Sequence, residues 1–565
     1  MEILKPYLQN LCNVASHSDT REESFYPALK ELLDDYAKSI KKGADVTPQP
    51  RKTEAGNPDF RVWDGKQHIV GYIEAKAPSV NLDSIQNSEQ IKRYLKYPNL
   101  LLTNFLEFRL FRNGELIEKC NISYSIPPKV SNDIINEKEP ELLRILEKFF
   151  AFSLPRVYTA KSLAVELAKR TRYLRDAIIT EGLKEEKDNK GHILGYYKAF
   201  KDYLINDLSK ERFADLFSQT ITFGLFAART TANSNFNRKL AYDYIPRNLG
   251  ILREVFRFVS LEDLPQQMEW DIDDISEVLA INDVKSILKK SGENLVFNFF
   301  NEGKVNDPIF HFYETFLAEY DPQTREKTGV YYTPESVVTY IIRSVHCTLK
   351  KNFRLKGGLA DKPVTILDPA AGTLTFLVNA IKIALKEFID KYGESGKESF
   401  IREHILSNFH AFEISMAPYA IGHLRLSYIL EDEGYKLNAD ERLKFYLTNA
   451  LDMKELTETL FPGMASLSHE SHLANEIKTE TPILVILGNP PYFGKSSNKG
   501  EWISKEIREY YQVDGHPLNE KNPKWLQDDY VKFIRLAQWK IDRAGEGVLS
   551  FITNHGYLDN PTFRG

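Results

Sequence analysis

The sequence predicts an α/β protein of three parts, and three observations carry that reading. Two β-type runs face each other across a hairpin signal between residues 57 and 76. Apolar residues recur at helical spacing from about residue 160, and after residue 306 short apolar strand-like runs end in loops of small or acidic residues. We place the parts at residues 1–155, 156–305 and 306–565.

In the first part, the stretch Thr20 to Leu29 opens an amphipathic helix with Glu22 at its start. Asn57-Pro58-Asp59-Phe60-Arg61-Val62-Trp63 reads as a strand, Asp64-Gly65 as the turn, and His68 to Lys76 as the returning strand. With Asp64 to Gln67 as the loop, Asp59 lies opposite Tyr72. Glu74 is then one same-face step away and Lys76 one step beyond, because side chains alternate along a strand. Two carboxylates therefore converge with an ammonium beside them. Asp59 and Glu74 suit Mg2+, a hard cation that takes one or two carboxylates and fills its remaining positions with water and phosphate oxygens. Lys76 is expected to orient, or help deprotonate, an attacking water. Gln90 and Tyr94 lie one turn apart on the helix that follows.

The second part is read as a helical connector. Leu163 to Lys169, Phe213 to Phe217 and Ser218 to Ala232 carry apolar residues at helical spacing. Tyr173 and Phe223 are expected in its core. The charged segment Glu181 to Lys190 and the acidic run Trp270 to Glu277 are expected to be solvated loops.

The third part holds the densest chemistry. Gly329-Val330-Tyr331-Tyr332-Thr333-Pro334 precedes a helix expected from Glu335 to Leu349, with Thr333 as its N-cap and Pro334 opening it. Val364 to Leu367 reads as a buried strand running into Asp368-Pro369-Ala370-Ala371-Gly372-Thr373-Leu374, a loop whose small residues let the backbone approach a ligand closely; a helix begins near Phe376. Phe409 to Ile414 sets Glu413 at a second strand end, where a carboxylate can accept from both hydroxyls of a ribose. Tyr446 to Asp452 forms a third strand end, with Asn449 and Asp452 as polar candidates. From the apolar run Ile483 to Leu487 the chain enters Asn489-Pro490-Pro491-Tyr492. An amino group conjugated to a purine ring is a poor nucleophile until its lone pair is released. The Asn489 side-chain carbonyl and the Pro490 backbone carbonyl can both accept from one NH2, Pro491 stiffens the turn, and Tyr492 offers a face for a flipped-out base.

In this order the segments resemble the gamma-type N6-adenine DNA methyltransferases. The resemblance runs from about Phe310 to Gly565 and implies a Rossmann-like class I fold that uses S-adenosyl-L-methionine. It implies that Tyr332, Thr333 and Pro334 cover the methionine end of that cofactor. Asp368, Pro369, Ala370, Gly372 and Thr373 would hold it, Glu413 its ribose, and Asn449, alone or with Asp452, its adenine. The sequence departs from the family pattern at Leu374, where a second glycine is usual, and at Asn449, where Asp is more frequent. The first part resembles the PD-(D/E)XK nucleases, with Asp59, Glu74, Lys76 and the Gln90-to-Tyr94 helix. Together the parts resemble type IIG restriction-modification enzymes, which implies double-stranded DNA as substrate. The family continues with a target-recognition domain, so the expectation is that a further carboxy-terminal segment or a separate specificity subunit reads the sequence. A modification-only methyltransferase with an inactive nuclease part, and a non-catalytic module, are the alternatives.

Composition fits this organisation without specifying it. The 565 residues, 42% hydrophobic, suffice for several cores, and a net charge of −5 leaves DNA attraction to local basic residues such as Lys495 and Lys499. Cys12, Cys120 and Cys347 are far apart, match no metal-ligand spacing and are expected to serve as small apolar residues. The amino terminus lacks a signal-peptide pattern and no apolar run approaches a membrane span, so a cytoplasmic protein is expected.

Overall fold

The computed structural model describes residues 3–17, 19–40, 45–48, 58–63, 69–95, 97–112, 114–127, 130–152, 159–179, 183, 192–205, 207–232, 236–247, 249–288, 307–320, 333–438, 441–454, 465–492, 496, 498–520 and 523–564. They form two compact units, Met1–Arg156 and Val157–Gly565. Asn57, Tyr332, Lys495, the expected turn residues Asp64 to Gln67, and all of the segment 181–190 except Leu183 lie outside the described residues.

In the first unit, six strands stand in chain order: β1 (Asp45–Pro48), β2 (Phe60–Trp63), β3 (Ile69–Ala75), β4 (Leu100–Thr103), β5 (Glu107–Arg112) and β6 (Glu115–Asn121). All neighbours are antiparallel except β3 and β4. A parallel pair needs a crossover, and the short helices α3 (Leu82–Ile85) and α4 (Glu89–Tyr94) lie within it. Helices α1 (Leu4–Ala15), α2 (Tyr26–Ser39) and α5 (Asn132–Phe150) bury their apolar stripes against the sheet, so that Leu8, Leu29, Leu33, Phe60, Ile73 and Leu146 share one core. The register of the hairpin differs from expectation. Phe60 pairs with Ile73 and Arg61 with Tyr72, and a bulge between Val62 and Trp63 shifts the ladder. Trp63 pairs with Ile69 where the expected loop would set it against His68, and the bulge adds a second residue, so Asp59 moves two positions, from Tyr72 to the level of Glu74.

In the second unit, helices α6 (Ala160–Ala177), α7 (His192–Tyr203), α8 (Lys210–Thr231), α9 (Arg238–Tyr244), α10 (Gly250–Leu261) and α11 (Gln266–Ala280) precede the helix Pro308–Tyr320. Helix α8 is almost wholly buried, including Phe223, and the Phe226 and Phe312 rings stack 4.4 Å apart. The acidic run 270–277 is not a solvated loop. It lies inside α11 with Trp270 and Asp274 buried, because Asp274 pairs with Arg170 at 2.8 Å and Asp273 with Arg238 at 2.9 Å. Cys120 is buried, whereas Cys347 is exposed and serves no core.

Beyond these helices lies a parallel sheet of β7 (Ile366–Asp368), β8 (Phe409–Glu413), β9 (Lys444–Leu447), β10 (Val485–Gly488) and, after a small hairpin of β11 (Gln512–Val513) and β12 (His516–Pro517), β13 (Val548–Phe551). Its order is β13-β10-β7-β8-β9. Helices Thr375–Tyr392 and Met416–Asp432 connect the first strands, as parallel pairing demands, and β10 is buried at every position, as a strand covered on both faces should be. Strand addition reverses between β7 and β10, so the carboxyl ends of these two strands flank a topological switch point, where ligands bind in such sheets.

Candidate active sites

In the first unit the β2–β3 hairpin gathers the expected carboxylates. Asp59 accepts from the Tyr26 hydroxyl at 2.6 Å and from the Ala75 amide at 2.8 Å. Glu74 is 1% exposed; its Oε1 accepts from Lys76 Nζ and from Gln90 Nε2 at 3.3 Å, while its Oε2 has no partner among the described residues. Gln90 Nε2 also lies 3.4 Å from the Tyr94 hydroxyl. Glu22 accepts from the Ala77 amide at 3.0 Å and stands 3.2 Å from the Tyr26 hydroxyl. Sequence reasoning missed Tyr26, which is indistinguishable from any aromatic at the start of an amphipathic helix.

Burial, and then the neighbouring Asp59, push Glu74 well above the usual carboxylate range, and burial pushes Asp59 up against the hydrogen bond from Tyr26. Burial works against the charge on Lys76, yet the Glu74 carboxylate, with Asp59 and Glu22 behind it, holds the ammonium above its ordinary range. Lys76 thus stands as an ammonium against the Glu74 carboxylate. The orphaned buried oxygen of Glu74 and the excess of carboxylates suit a divalent cation. Among the described residues no group of three or more His, Cys, Asp or Glu side chains is arranged to hold a metal, so Asp59 and Glu74 would leave most positions to water and phosphate.

In the second unit the two strand ends at the switch point are interlocked. Asp368 ends β7, is 1% exposed, accepts from the Ala370 amide at 3.2 Å and keeps its Oδ2 without a partner among the described residues. Burial pushes it up to about 8, with Glu413 adding to the rise. Gly488 ends β10 at φ +151°, and a Cβ there would stand 2.6 Å from Asp368 Oδ1, so only glycine lets the strands meet. Gly372 has φ +54° with open space around its missing Cβ. Its amide donates to Glu413 Oε2 at 2.9 Å, and Glu413 Oε1 accepts from the Ile414 and Ser415 amides. Pro369, Ala370 and Thr373 complete this loop.

Asn489 follows Gly488 directly. Its Nδ2 donates to Thr333 Oγ1 at 3.1 Å, and its Oδ1 lies 2.7 Å from the Tyr492 hydroxyl. Thr333 is not the N-cap: that position belongs to Pro334, whose ψ of 126° leaves it outside the helix and whose ring has no acceptor to cap with, while the threonine hydroxyl accepts from Asn489. The same Tyr492 hydroxyl lies 2.7 Å from the Ile552 carbonyl. One phenolic proton faces two acceptors, so donation to Ile552 leaves Asn489 Oδ1 available. Pro490 is buried and Pro491 exposed. Asn449 Nδ2 points to Asn498 Oδ1 at 3.1 Å and to Leu204 O at 3.4 Å, while Asp452 Oδ1 accepts from the Lys454 amide. Lys478, buried and unforeseen from sequence, donates to Thr448 Oγ1, Asn449 O and Asp452 O at 2.7–2.8 Å and staples this loop.

Residues 304–427 match the family described as N-6 DNA Methylase. No curated protein matches the chain. Among solved structures it is similar to the DrdV–DNA complex, at 23% identity over 99% of this chain and 51% of that one, with a TM-score of 0.45. It is similar also to the ATP-dependent Type ISP restriction-modification enzyme LlaBIII bound to DNA, at 20% identity over 78% and 27% of the two chains with a TM-score of 0.49. A nuclease-deletion mutant of the Type ISP enzyme LlaGI, in complex with a DNA substrate mimic, gives 23% identity over 76% and 32% with a TM-score of 0.49. The chain spans 51% of the length of the first of these and 27% and 32% of the other two. The matched stretch contains Thr333, Pro334, the loop from Asp368 to Thr373, and Glu413, while Asn489 to Tyr492 lie beyond it. The chain thus carries an N-6 DNA methylase region that includes β7 and β8.

Proposed function

We propose that the second unit transfers a methyl group from S-adenosyl-L-methionine to the N6 of adenine in double-stranded DNA, and that the first unit cleaves DNA with Mg2+. The chain would then be part of a type IIG restriction-modification enzyme whose sequence specificity comes from a further segment or subunit. The single observation that carries the methylation reading is that Asn489 emerges from β10 beside the Asp368 loop, at the switch point of a five-stranded parallel sheet.

The cofactor fits the residues present, because Asp368 has a buried oxygen without a partner among the described residues and, on giving up its proton, is the partner a cationic amino-acid end requires, while Gly372 leaves room for it. In this reading Asp368, Pro369, Ala370, Gly372 and Thr373 hold the methionine end under Thr333 and Pro334. Glu413 holds the ribose, and the loop of Asn449 and Asp452 borders the adenine. When bound, the cofactor supplies an electrophilic methyl group. Asn489 Oδ1 and the Pro490 carbonyl accept from the flipped adenine's amino group, which withdraws its lone pair from the ring. Thr333 fixes the amide so that its oxygen faces the base. Tyr492 borders the pocket, its single hydroxyl proton turned to Ile552 when Asn489 Oδ1 accepts from the base. The amino proton leaves to water once the nitrogen has become cationic.

In the first unit Asp59 and Glu74 would hold Mg2+, which lowers the charge on a phosphodiester, while Lys76 and Gln90 orient Glu74. Two substitutions test the two activities separately. Asn489→Ala should abolish methyl transfer while cofactor binding persists, and Glu74→Ala should abolish Mg2+-dependent cleavage while methyl transfer persists. Transfer by Asn489→Ala, or cleavage by Glu74→Ala at the wild-type rate, refutes the corresponding half.

A further inference from the structure

We infer that Arg425 is a positioning residue for the 368–374 loop, and that it compensates for the leucine standing where the resemblance expects a second glycine. The inference rests on reading that loop as the cofactor site.

Leu374 sits at φ +66°, ψ +28°, a left-handed conformation in which an L-residue's Cβ crowds the following carbonyl oxygen. Something must hold it there. Arg425, on the helix Met416–Asp432 and 2% exposed, grips the residues on either side of Leu374. Its Nη1 donates to the Thr373 carbonyl at 2.8 Å and to Thr375 Oγ1 at 3.0 Å, with Thr373 Oγ1 at 3.4 Å. Its Nε pairs with the carboxylate of Asp307, and its guanidinium carbon lies 4.7 Å from the centroid of the Phe310 ring. Asp307 in turn accepts from the Phe310 amide at 2.9 Å, so the anchor is itself fixed at the start of the helix Pro308–Tyr320.

One turn back on the same helix is Gly422. A Cβ there would stand 2.7 Å from Phe445 and 3.0 Å from Leu374 Cγ. The helix therefore supplies both the space that admits the leucine side chain, which is fully buried, and the guanidinium that restrains its backbone. A planar fork does this where an ammonium cannot, since it meets the turn and Asp307 in one plane. Without the clamp, Leu374 relaxes toward negative φ, and the loop loses the turn that sets the Gly372 amide against Glu413 and the Leu374 amide against the Ala371 carbonyl.

The test is a double-mutant cycle on the full chain, read as the dissociation constant of S-adenosyl-L-homocysteine by calorimetry and as melting temperature. Arg425→Lys keeps a charge for Asp307 but loses the fork, and should weaken binding about tenfold. Leu374→Gly adopts the left-handed turn without help and should bind within about threefold of wild type. In the double variant Arg425→Lys should cost no more than about twofold. Thr375→Val, which removes one acceptor and no charge, should weaken binding about threefold and serves if Arg425→Lys does not fold. Wild-type affinity in both Arg425→Lys and Thr375→Val overturns the inference, as does a loss that is undiminished in the glycine background. Failure of the wild-type chain to bind the ligand overturns the cofactor reading instead; the cycle on melting temperature then still shows whether Arg425 and Leu374 are coupled.

Discussion

Gly488→Ala probes the contact on which the proposed methyltransferase site depends. At φ +151° an alanine pays about 1–3 kcal/mol of backbone strain. Its Cβ, 2.6 Å from Asp368 Oδ1, must also displace a fully buried carboxylate and break the bond from the Ala370 amide, at about 1 kcal/mol more. The expected destabilisation of the second unit is about 2–4 kcal/mol by addition of these effects. Because the displaced group is the one assigned to the cofactor's cationic end, affinity should fall at least tenfold, about 1.4 kcal/mol. Thermal unfolding followed by circular dichroism reads the first quantity and calorimetric titration with S-adenosyl-L-homocysteine the second. A variant that melts and binds as wild type would refute the reasoning. One that melts lower yet binds normally would remove Asp368 from the cofactor site.

Asp368→Asn gives an opposite pairing of stability and binding. Burial lifts the folded carboxyl to about 8, so between about pH 4 and pH 8 the native state holds a proton that the unfolded chain lacks; stability from this group falls as pH rises, by up to about 1.4 kcal/mol per unit. The amide removes that dependence, so the variant should melt higher than wild type at pH 8 and bind cofactor poorly, which melting curves at pH 6 and 8 check. Thr333→Val keeps the shape but leaves Asn489 Nδ2 without its acceptor, and should lower the methylation rate about fivefold to tenfold with little change in cofactor affinity. Tyr26→Phe removes the hydroxyl that holds Asp59, and should shift the Mg2+ concentration for half-maximal cleavage while methylation, measured on the same preparation, stays unchanged.

The sequence made the parallel-sheet unit legible because its strands are short apolar runs that end in chemically distinctive residues. Asp368, Glu413 and Asn489 each stand at or just past a strand's carboxyl end, and the strand order brings the first and last of them together. The spatial partners of those residues were not legible. Thr333 reads as a helix cap because Thr-Pro-Glu is capping chemistry, and only the fold shows its hydroxyl spent on a residue 156 positions away. Arg425 and Lys478 lie in helices whose pattern calls for nothing more than solvent-facing charges, and both are buried by elements distant in sequence. The run 270–277 misled for the same reason: acidic residues look solvated until Arg170 and Arg238 arrive from other helices. In the hairpin, alternation placed Asp59, Glu74 and Lys76 on one face, but the pairing of Trp63 with Ile69 and a bulge beside it set their register, and bulges leave little mark on a sequence.

The most direct test of the central claim is mass spectrometry of nucleosides from unmethylated DNA incubated with the purified protein and S-adenosyl-L-methionine, with wild type and Asn489→Ala side by side. The account predicts N6-methyladenine from the wild type and none from the variant. Equal methylation by both, methylation of cytosine in place of adenine, or no methylated base from a wild-type protein that binds both cofactor and DNA would contradict it.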